Sequence, residues 1–333
     1  LCYLKRRHKN TIYEENSEQQ ALYAFYIGGI ATLLLYLQLS IRWPKLIKTW
    51  CQMDKIMNKR YGYPASLDLR LRLCLIICIT LKLTDYLLCM YNRYIEMVNK
   101  YGDDYDYKVF FNNTLPQLFK IVPLNVASAV YCTVLNTHST LTSTFNDLFI
   151  ILLSISLALR FKQVTQRLEK NVSKFQFESE EFWIEIREDY DRLSTLCKEL
   201  DENISYIILL SYSINSFFLL IQLYESLEAV SGLVGRIYFI TSFVHQIFRI
   251  VSVSLYAAWI NDESLEPMNI LNSVPSHAYN TEVKRLLMQI SFDNVALTGC
   301  KMFKITRGII LSIAGAVVTY ELVLIQFNSE TQA

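Results

Sequence analysis

The stretch GIILSIAGAVVTYELVLIQF, residues 308–327, decides the fold class because it is long and apolar enough to cross a lipid bilayer. A membrane-spanning helix needs roughly 20 predominantly apolar residues to cross the hydrocarbon core. The stretch carries one charged side chain, Glu321, and it belongs to a segment predicted as a span from 300 to 327. It therefore predicts a transmembrane helix that holds a carboxylate at membrane depth.

Five more apolar segments predict further spans. They lie approximately at residues 20–41, 71–92, 124–160, 204–226 and 233–260. The chain of 333 residues is 52% hydrophobic and contains only 9 Gly and 6 Pro, which is typical of long uninterrupted helices. The sequence therefore predicts an all-α, polytopic membrane helix bundle. The third segment exceeds one simple span, so we expect it to project beyond the membrane.

Basic residues are unevenly distributed among the links between spans, and this asymmetry predicts the orientation. They are frequent between the first two spans and in 161–203, whereas the 99–122 loop contains the acidic and aromatic run GDDYDYKVFFNNT. The positive-inside rule places the basic links in the cytoplasm and the 99–122 loop outside. In that loop the acceptor pattern Asn112-Asn113-Thr114 predicts N-glycosylation at Asn112.

The C-terminus after Phe327 is then predicted to be extracellular, because six spans that begin outside also end outside. The basic run KRRHK, residues 5–9, conflicts with this orientation, since it would lie outside as well. Residues 1–19 are therefore interpreted as an incomplete N-terminal segment. A further span before them would give the complete protein seven spans and an intracellular N-terminus.

The cytoplasmic links have helical patterns of their own. Residues 161–203 are predicted to form a cytoplasmic helical extension, and the run TEVKRLLMQISFDNVALTG predicts another amphipathic helix within a cytoplasmic anchor region at 261–299. The apolar-leaning face of the extension recurs every three or four residues, at Phe182, Ile186, Tyr190, Leu193, Cys197 and Leu200. Together these segments are expected to pack into an intracellular domain.

Charged residues recur at one depth of the predicted bilayer. Asp85, Asp147, Arg249 and Glu321 each lie about 20 Å from the cytoplasmic end of their span, at 1.5 Å per residue. Arg249 can pair with either Asp147 or Asp85, and Lys82 competes for Asp85 from the same helix. Charges inside a membrane either hold a bundle together as buried pairs or line a polar cavity.

Polar side chains follow one face of several predicted spans, which favours the cavity. Thr137, Thr140, Thr144 and Asp147 continue each other at helical spacing, and two later spans repeat such a stripe toward their outer halves. Carboxylates, amides and aromatic faces together suit a polyhydroxyl ligand. The spans within 20–160 and 204–260 are thus predicted to form an outer ligand pocket. Its candidate residues are Asp85, Thr137, Thr140, Thr144, Asp147, Asn215, Phe218, Gln222, Glu225, Tyr238, Thr241, His245 and Arg249.

Other function classes have little support in the sequence. Lys and Arg (32) nearly balance Asp and Glu (31), so no basic field predicts a nucleic-acid partner. Nucleophile-elbow, phosphate-loop and zinc-protease motifs are absent from the sequence, which argues against an enzyme. Cys74 and Cys78 lie one turn apart without His or carboxylate neighbours in sequence, so neither a metal nor a cofactor is expected.

The last span allows two interpretations of its polar end. Gly308, Ser312, Gly315 and Ala316 form a small-residue face suited to close helix packing. Beyond it, the pair Gln326-Phe327 could anchor the helix at the membrane interface. It could also form a pore constriction that excludes ions by dewetting. Glu321 points to another side of the helix, where we expect a polar neighbour within the subunit.

Motifs along nearly the whole chain resemble the insect gustatory receptors. Thr319-Tyr320, five residues and then Gln326-Phe327 are similar to the C-terminal signature of that family, although the signature does not require Glu321. The wider run VALTGCKMFKITRGIILSIAGAVVTYELVLIQFN resembles the sugar-receptor branch. The same resemblance covers the runs RWPKLIKTW, FNDLFIILLSISLALRFKQ and SLYAAWINDESLEP.

The resemblance implies a function as well as a fold. It implies a sugar-gated, non-selective cation channel in the plasma membrane of gustatory neurons, with seven spans. It also implies a homotetramer or heterotetramer of related receptors, surrounded by lipid, whose last helices at 300–328 line a pore for the permeating cations. Gln326 and Phe327 then become the pore gate, and Thr319 and Tyr320 complete the motif.

Three alternatives stay open. A secondary transporter also places charges at the midplane, although these spans lack Gly/Pro breaks and the halves show no repeat. A G-protein-coupled receptor has seven spans but requires the opposite orientation. A gustatory receptor for bitter compounds is expected to have a more apolar pocket than these stripes predict.

Overall fold

The computed structural model describes residues 12–102, 106–114, 119, 123–172, 179–226 and 232–332. Within these ranges, side chains are described except at 12–22, 100, 107, 112–114, 325 and 327–332. The side chains of Asn112 and Phe327, and the N-terminal residues 1–11, lie outside the described part. The predicted glycosylation at Asn112 and the gate role of Phe327 therefore stay predictions.

The described chain is almost entirely helical. Long helices alternate with short links, and a single turn of helix and a two-stranded hairpin precede the last helix. In chain order the elements are α1 (Ile12–Tyr61), α2 (Leu67–Tyr101), α3 (Tyr107–Thr114), α4 (Val126–Asn171), α5 (Glu180–Ser226), α6 (Leu233–Leu265), α7 (Pro267–Leu271), α8 (Thr281–Asp293), β1 (Thr298–Gly299), β2 (Phe303–Lys304) and α9 (Gly308–Gln332). The predicted all-α membrane bundle is confirmed.

Five helical segments are long and apolar enough to cross a membrane. They comprise Tyr23–Tyr61, Leu67–Asn99, Val126–Asn171, Glu180–Ser226 and Leu233–Leu271, and the apolar part of α9, Gly308–Leu324, is shorter. Each of the first five predicted spans overlaps one of these segments. The helices run well past the predicted boundaries because amphipathic turns continue them beyond the purely apolar stretch. The seven-span count and the extracellular C-terminus stay predictions.

The last helix begins later than the predicted span. The span was predicted from residue 300, whereas α9 begins at Gly308 because residues 298–304 form an antiparallel hairpin. Cys300 and Lys301 adopt positive φ angles of 50° and 60° at its turn. A Cβ on Gly299 would overlap the ring of Phe303, so this position requires glycine. Apolar composition alone does not distinguish such a turn from a continuing helix.

The predicted cytoplasmic extensions contain many of the fully buried core residues. All six residues of the predicted apolar face at 182–200 are buried, and Trp183 and Phe161 pack among them. In the predicted aqueous region the hydrophobic effect acts at full strength, and burying each such side chain contributes about 1.5–3 kcal/mol. Between lipid-facing helices this driving force is largely missing. We refer to these packed extensions as the base of the bundle.

The base also anchors the start of α9. The Asp201 carboxylate on α5 accepts hydrogen bonds from the Thr298 backbone N–H and hydroxyl, at 2.6 and 2.9 Å. Arg307, one residue before α9, pairs with Asp262 of α6 at 2.6 Å. The beginning of α9 is thus bonded to α5 and α6, which also carry two of the predicted polar stripes.

Further along, α9 presents two different faces. Its Ile313, Val317 and Tyr320 pack against an apolar cluster of Leu219 and Leu223 from α5 and Ile250 from α6. The opposite face is exposed in the isolated chain and includes small and polar side chains beside the apolar Leu311 and Leu322. Its small and polar members are Gly308, Ser312, Gly315, Thr319 and Gln326.

Candidate ligand pocket

Five helices, α1, α2, α4, α5 and α6, enclose a cavity of about 70 Å³ at the depth of the predicted charges. Five of the predicted site residues line it, namely Asp85, Thr140, Phe218, His245 and Arg249. Predicted site residues from four separate spans therefore converge on one place. This convergence follows from packing, since a helical stripe shows only which residues share a face.

The first charged group of the pocket is centred on Asp85 of α2. Lys82 Nζ lies 2.9 Å from Asp85 Oδ2, one turn away on the same helix. The Ser242 hydroxyl of α6 donates to Asp85 Oδ1 at 2.7 Å, and His245 Nδ1 lies 3.6 Å from Oδ2. The predicted competition of Lys82 for Asp85 is thus resolved in favour of Lys82. Asp85 joins α2 to α6 while lining the cavity.

The second charged group pairs Arg249 of α6 with Asp147 of α4. Arg249 Nε and Nη2 both lie 2.7 Å from Asp147 Oδ2, and Nη2 also donates to the Ser143 hydroxyl at 2.6 Å. The other carboxylate oxygen accepts from Ser211 at 2.5 Å and from Asn215 at 3.1 Å, both on α5. Of the two pairings left open by the sequence, the one with Asp147 forms.

The two groups together leave the pocket electrically balanced. Each carboxylate has one cationic partner, and the four side chains are no more than 15% exposed. An unpaired charge at this depth would be strongly disfavoured, whereas two compensated pairs still offer hydrogen-bonding groups to a ligand. Because positive and negative groups cancel, the arrangement favours a neutral polar molecule over an ion.

Aromatic rings border the pocket on one side. Phe25 of α1 and Phe218 of α5 meet edge to face with their centroids 6.4 Å apart, and both line the cavity. Tyr86 lines it from α2 and shares a hydrogen bond of 3.3 Å with Thr137. The cavity therefore combines an apolar surface with a polar one, as sites for ring-shaped polar ligands do.

Eight predicted site residues do not line the cavity. Asp147, Asn215 and Thr137 support it through the hydrogen bonds given above, while Thr144 bonds to the Thr140 carbonyl of its own helix. Gln222 and Tyr238 are buried nearby, and Glu225 and Thr241 are half-buried.

Sequence reasoning missed part of the lining. Among the missed residues are Gly28, Gly29 and Thr32 of α1, Ser139 and Ser143 of α4, and Gln246 of α6. The Gly28-Gly29 pair inside an apolar run could have indicated a close approach to α1, because glycine lets another group come near the backbone. Gln246 donates to the Asn215 carbonyl at 2.9 Å and so couples the cavity wall to α5.

The predicted gate region lies at the far end of α9. Gln326 and Thr319 are on its exposed face, and Thr319 bonds to the Gly315 carbonyl at 2.8 Å. Tyr320 packs inward on the cluster formed by α5 and α6. Among the described residues, none forms a hydrogen bond or ion pair with Glu321, which is half-buried. The neighbour expected for it within the subunit is not found in that part of the chain.

Comparison with known proteins identifies the family. Residues 10–333 match the model of the trehalose receptor family. The chain belongs to this family of insect gustatory receptors. The resemblance to gustatory receptors and to their sugar branch is thereby confirmed, and the chain is a multi-pass membrane receptor rather than an enzyme.

Individual relatives of the family agree with this assignment. The gustatory receptor for sugar taste 64f of Drosophila melanogaster is 31% identical over 90% of this chain, and the chain spans 64% of that relative's length. The gustatory receptor 5a for trehalose of the same species is 28% identical over 99% of the chain and is covered over 74% of its length. The first relative is thus named for sugar taste and the second for the sugar trehalose.

Solved structures agree on the fold. The insect olfactory receptor OR5 from Machilis hrabei, in complex with eugenol, superposes with a TM-score of 0.64. The match covers 92% of this chain and 80% of that chain at 15% sequence identity. A second structure of the same receptor gives a TM-score of 0.56 at 13% identity. At such identities the likeness concerns the helix arrangement alone.

Proposed function

We propose that this receptor is a taste receptor channel, in which a neutral sugar bound in the pocket opens a pore for cations. The observation that carries the proposal is the pocket itself, where two compensated ion pairs and an aromatic wall surround a cavity at membrane depth. Membership of the trehalose receptor family and the sugar-taste names of its relatives support the same ligand class.

A sugar ring fits the chemistry of this cavity. About 70 Å³ accommodates roughly five to seven water-sized groups at 10–15 Å³ each, which suits a single ring whose hydroxyls replace ordered water. Asp85 accepts hydrogen bonds from hydroxyls, and Arg249 donates to them. The Thr140 hydroxyl donates to the Asn136 carbonyl at 2.8 Å, so its oxygen can accept from the ligand. The edges of Phe25 and Phe218 cover the apolar face of the ring. A bitter, largely apolar ligand would leave these polar groups desolvated and unpaired, which disfavours it.

The apolar contacts of α9 provide a route from pocket to pore. Phe218 lines the cavity, and the next residue, Leu219, packs with Ile250 against Val317 and Tyr320 of α9. A sugar that binds the open channel more tightly than the closed channel shifts the equilibrium between the two states toward the open one. About 5.5 kcal/mol of differential affinity takes that equilibrium from 1:99 to 99:1. In a tetramer, the sugars bound to the four subunits can each contribute part of this free energy.

The pore is formed by α9 of four identical or related subunits. The small and polar face from Gly308 to Gln326 turns away from its own subunit and faces the ion path, and Gln326 and Phe327 close it. The C-terminus is extracellular, the outer helices contact lipid, and the assembly resides in the plasma membrane of gustatory neurons. This arrangement explains why polar side chains are tolerated on the exposed side of an apolar helix.

Whole-cell current tests the proposal. The full-length receptor is expressed alone and with related subunits, and panels of sugars and bitter compounds are applied. Neutral sugars are expected to evoke an inward cation current, and Phe327→Ala is expected to raise the basal current. Val318→Ala is the matched control, because Val318 is exposed on the same helix but lies nine residues before Phe327, on the other side of the helix. It should leave the basal current unchanged.

Other outcomes contradict specific parts of the proposal. Currents evoked by bitter compounds alone would overturn the ligand class. Sugar uptake without steady current through single open channels would indicate a transporter instead. A C-terminal epitope that stains only permeabilised cells would overturn the extracellular C-terminus and indicate the orientation of a G-protein-coupled receptor. Equal basal currents in Phe327→Ala and Val318→Ala would overturn the gate.

A further inference from the structure

A narrow stripe of α1 faces away from the bundle and changes from apolar to basic at one level. Its first half consists of Ile27, Ile30, Leu34, Leu37 and Ile41, which are all more than half exposed. Its second half consists of Lys45, Lys48, Gln52, Lys55 and Lys59, which are exposed as well. These residues follow one another in steps of three or four, so they lie on a single helix face. The change falls just after residue 41, where the first predicted span ends.

The four lysines of this stripe have no counter-ion in the part of the chain that the structure describes. The charges of α1 that turn toward the bundle are paired instead. Arg60 lies 2.8 Å from Asp189 of α5, and Asp54 lies 2.8 Å from Arg160 of α4. Since no residue of the stripe is acidic, its positive charge is left to be neutralised from outside the described subunit.

The opposite, apolar face of the same stretch is already covered by the receptor itself. Leu46, Met53 and Met57 are at most 4% exposed and belong to the main core. A protein that binds a basic amphipathic helix in a groove, as calmodulin does, needs that apolar face. Only the basic face is free to bind a partner, and this favours an anionic surface over such a groove.

The level of each lysine limits what can reach it. For a helix along the membrane normal, Lys45 lies about 6 Å and Lys48 about 10 Å beyond Ile41, whereas Lys55 and Lys59 lie about 21 and 27 Å beyond it. The polar zone of a bilayer is about 5–8 Å deep on each side of the hydrocarbon core. A lipid phosphodiester within that zone therefore reaches Lys45, and a phosphate that extends further is needed to reach Lys48.

We infer that this face of α1 binds a phosphoinositide of the inner leaflet, with its acyl chains along the apolar half of the stripe and its inositol phosphates on Lys45 and Lys48. Lys and Arg clusters directly after a membrane span attract anionic lipids electrostatically. The inositol ring carries phosphates beyond the phosphodiester, which the depth of Lys48 requires. The apolar half adds contacts with the lipid tails that a free inositol phosphate lacks. The inference does not depend on which ligand opens the channel.

The experiment measures lipid binding to full-length receptor purified in a neutral detergent. Dioctanoyl phosphatidylinositol bisphosphate, dioctanoyl phosphatidylserine, dioctanoyl phosphatidylcholine and soluble inositol trisphosphate are titrated separately. The dissociation constant of each is taken from the rise in melting temperature. The test variant is Lys45→Gln/Lys48→Gln. The matched control is Lys55→Gln/Lys59→Gln, because it removes the same charge from the same face at a level that a lipid head group does not reach.

The phosphoinositide is expected to bind wild type more tightly than phosphatidylserine or inositol trisphosphate, by about tenfold, and phosphatidylcholine should not raise the melting temperature. Lys45→Gln/Lys48→Gln should weaken phosphoinositide binding by about tenfold or more, and a factor of ten corresponds to about 1.4 kcal/mol. Lys55→Gln/Lys59→Gln should stay within about twofold of wild type, because charges more than a Debye length away are largely screened. Without lipid, both variants should melt within about one degree of wild type, since they change only exposed side chains.

Other results overturn the inference. No phosphoinositide binding by wild type, or equal losses in the two double variants, would mean that the face holds no specific lipid. Equal affinity for phosphatidylserine would exclude the inositol head group, and equal affinity for inositol trisphosphate would exclude the contribution of the tails.

Two further measurements test the other possible partners of this face. Binding of calcium-loaded calmodulin that is lost in Lys45→Gln/Lys48→Gln would assign the face to a protein instead of a lipid. Smaller oligomers of that variant, measured by light scattering, would assign it to a second copy of the chain. Each of these outcomes leaves the proposed response to sugars untouched.

Discussion

Removal of the Asp147 carboxylate is expected to destabilise the receptor strongly, because it leaves the buried guanidinium of Arg249 without its counter-ion. Two nitrogens of Arg249 lie 2.7 Å from the same carboxylate oxygen, and the two side chains are 11% and 7% exposed. Ser211 and Asn215 donate hydrogen bonds to the second carboxylate oxygen. Both side chains are neutral, so neither can replace the negative charge of Asp147 beside Arg249.

The size of the effect follows from the burial of the pair. At about 4 Å between charge centres and an effective dielectric constant of about 20, the attraction is roughly 4 kcal/mol. Breaking a buried pair by removing one partner typically costs about 3–5 kcal/mol. Native proteins are stable by only about 5–15 kcal/mol. Asp147→Asn should therefore lower the melting temperature by roughly 5–10 °C, since large chains shift by about 2 °C per kcal/mol.

Thermal unfolding of the purified receptor in detergent measures this effect. Ser211→Ala is the control, because it removes the hydrogen bonds of one hydroxyl, to Asp147 and from Asn215, but leaves the charge pair, and it should cost about 1.5–3 kcal/mol. The double variant Asp147→Leu/Arg249→Leu removes both charges and should melt within a few degrees of wild type. If Asp147→Asn shifts the melting temperature no more than Ser211→Ala does, or if the double variant shows the sum of two large losses, the assignment of a coupled pair is wrong.

The other predictions concern the cavity wall and the cytoplasmic base. A Cβ at Gly28 would lie 2.7 Å from the end of the Ile214 side chain, so Gly28→Val should raise the half-maximal sugar concentration and cost about 1–3 kcal/mol; an unchanged dose response would contradict this. Asp201→Ala leaves the buried N–H of Thr298 unpaired and should cost about 1–3 kcal/mol in thermal unfolding, whereas an unchanged melting temperature would mean that α9 is not anchored there. Burial raises the pKa of Asp293, but hydrogen bonds from a lysine and a serine of α5 outweigh it and hold that pKa below its ordinary value. A carboxyl group with a lowered pKa stabilises the fold above its ordinary pKa of about 4, and this stabilisation is lost as the pH falls through the lowered pKa. The decrease in melting temperature caused by Asp293→Asn at pH 7 should therefore vanish in acid. A decrease that does not depend on pH would refute this prediction.

Local patterns predicted much of the helical architecture. Apolar runs located five of the long membrane helices, because the length needed to cross hydrocarbon is the same in every context. Helical spacing from Phe182 to Leu200 predicted the buried face of this part of α5, and every one of its six members is buried. The apolar run did not show where α9 begins, because the hairpin before Gly308 depends on two left-handed residues and on the Gly299–Phe303 contact.

The candidate site was likewise predicted in part from the sequence and decided in part by the tertiary structure. The sequence by itself determined the family, the membrane class and the depth at which the charges lie, because each of these depends on residue identity and on spacing along one helix. The tertiary structure decided that Arg249 pairs with Asp147 rather than Asp85, that the glycines of α1 close the cavity, and that Gln222 has no partner in the described residues. These outcomes depend on which helices become neighbours and how each is rotated. Packing between residues far apart in the chain decides both, and the residue pattern along a single helix carries no information about that packing.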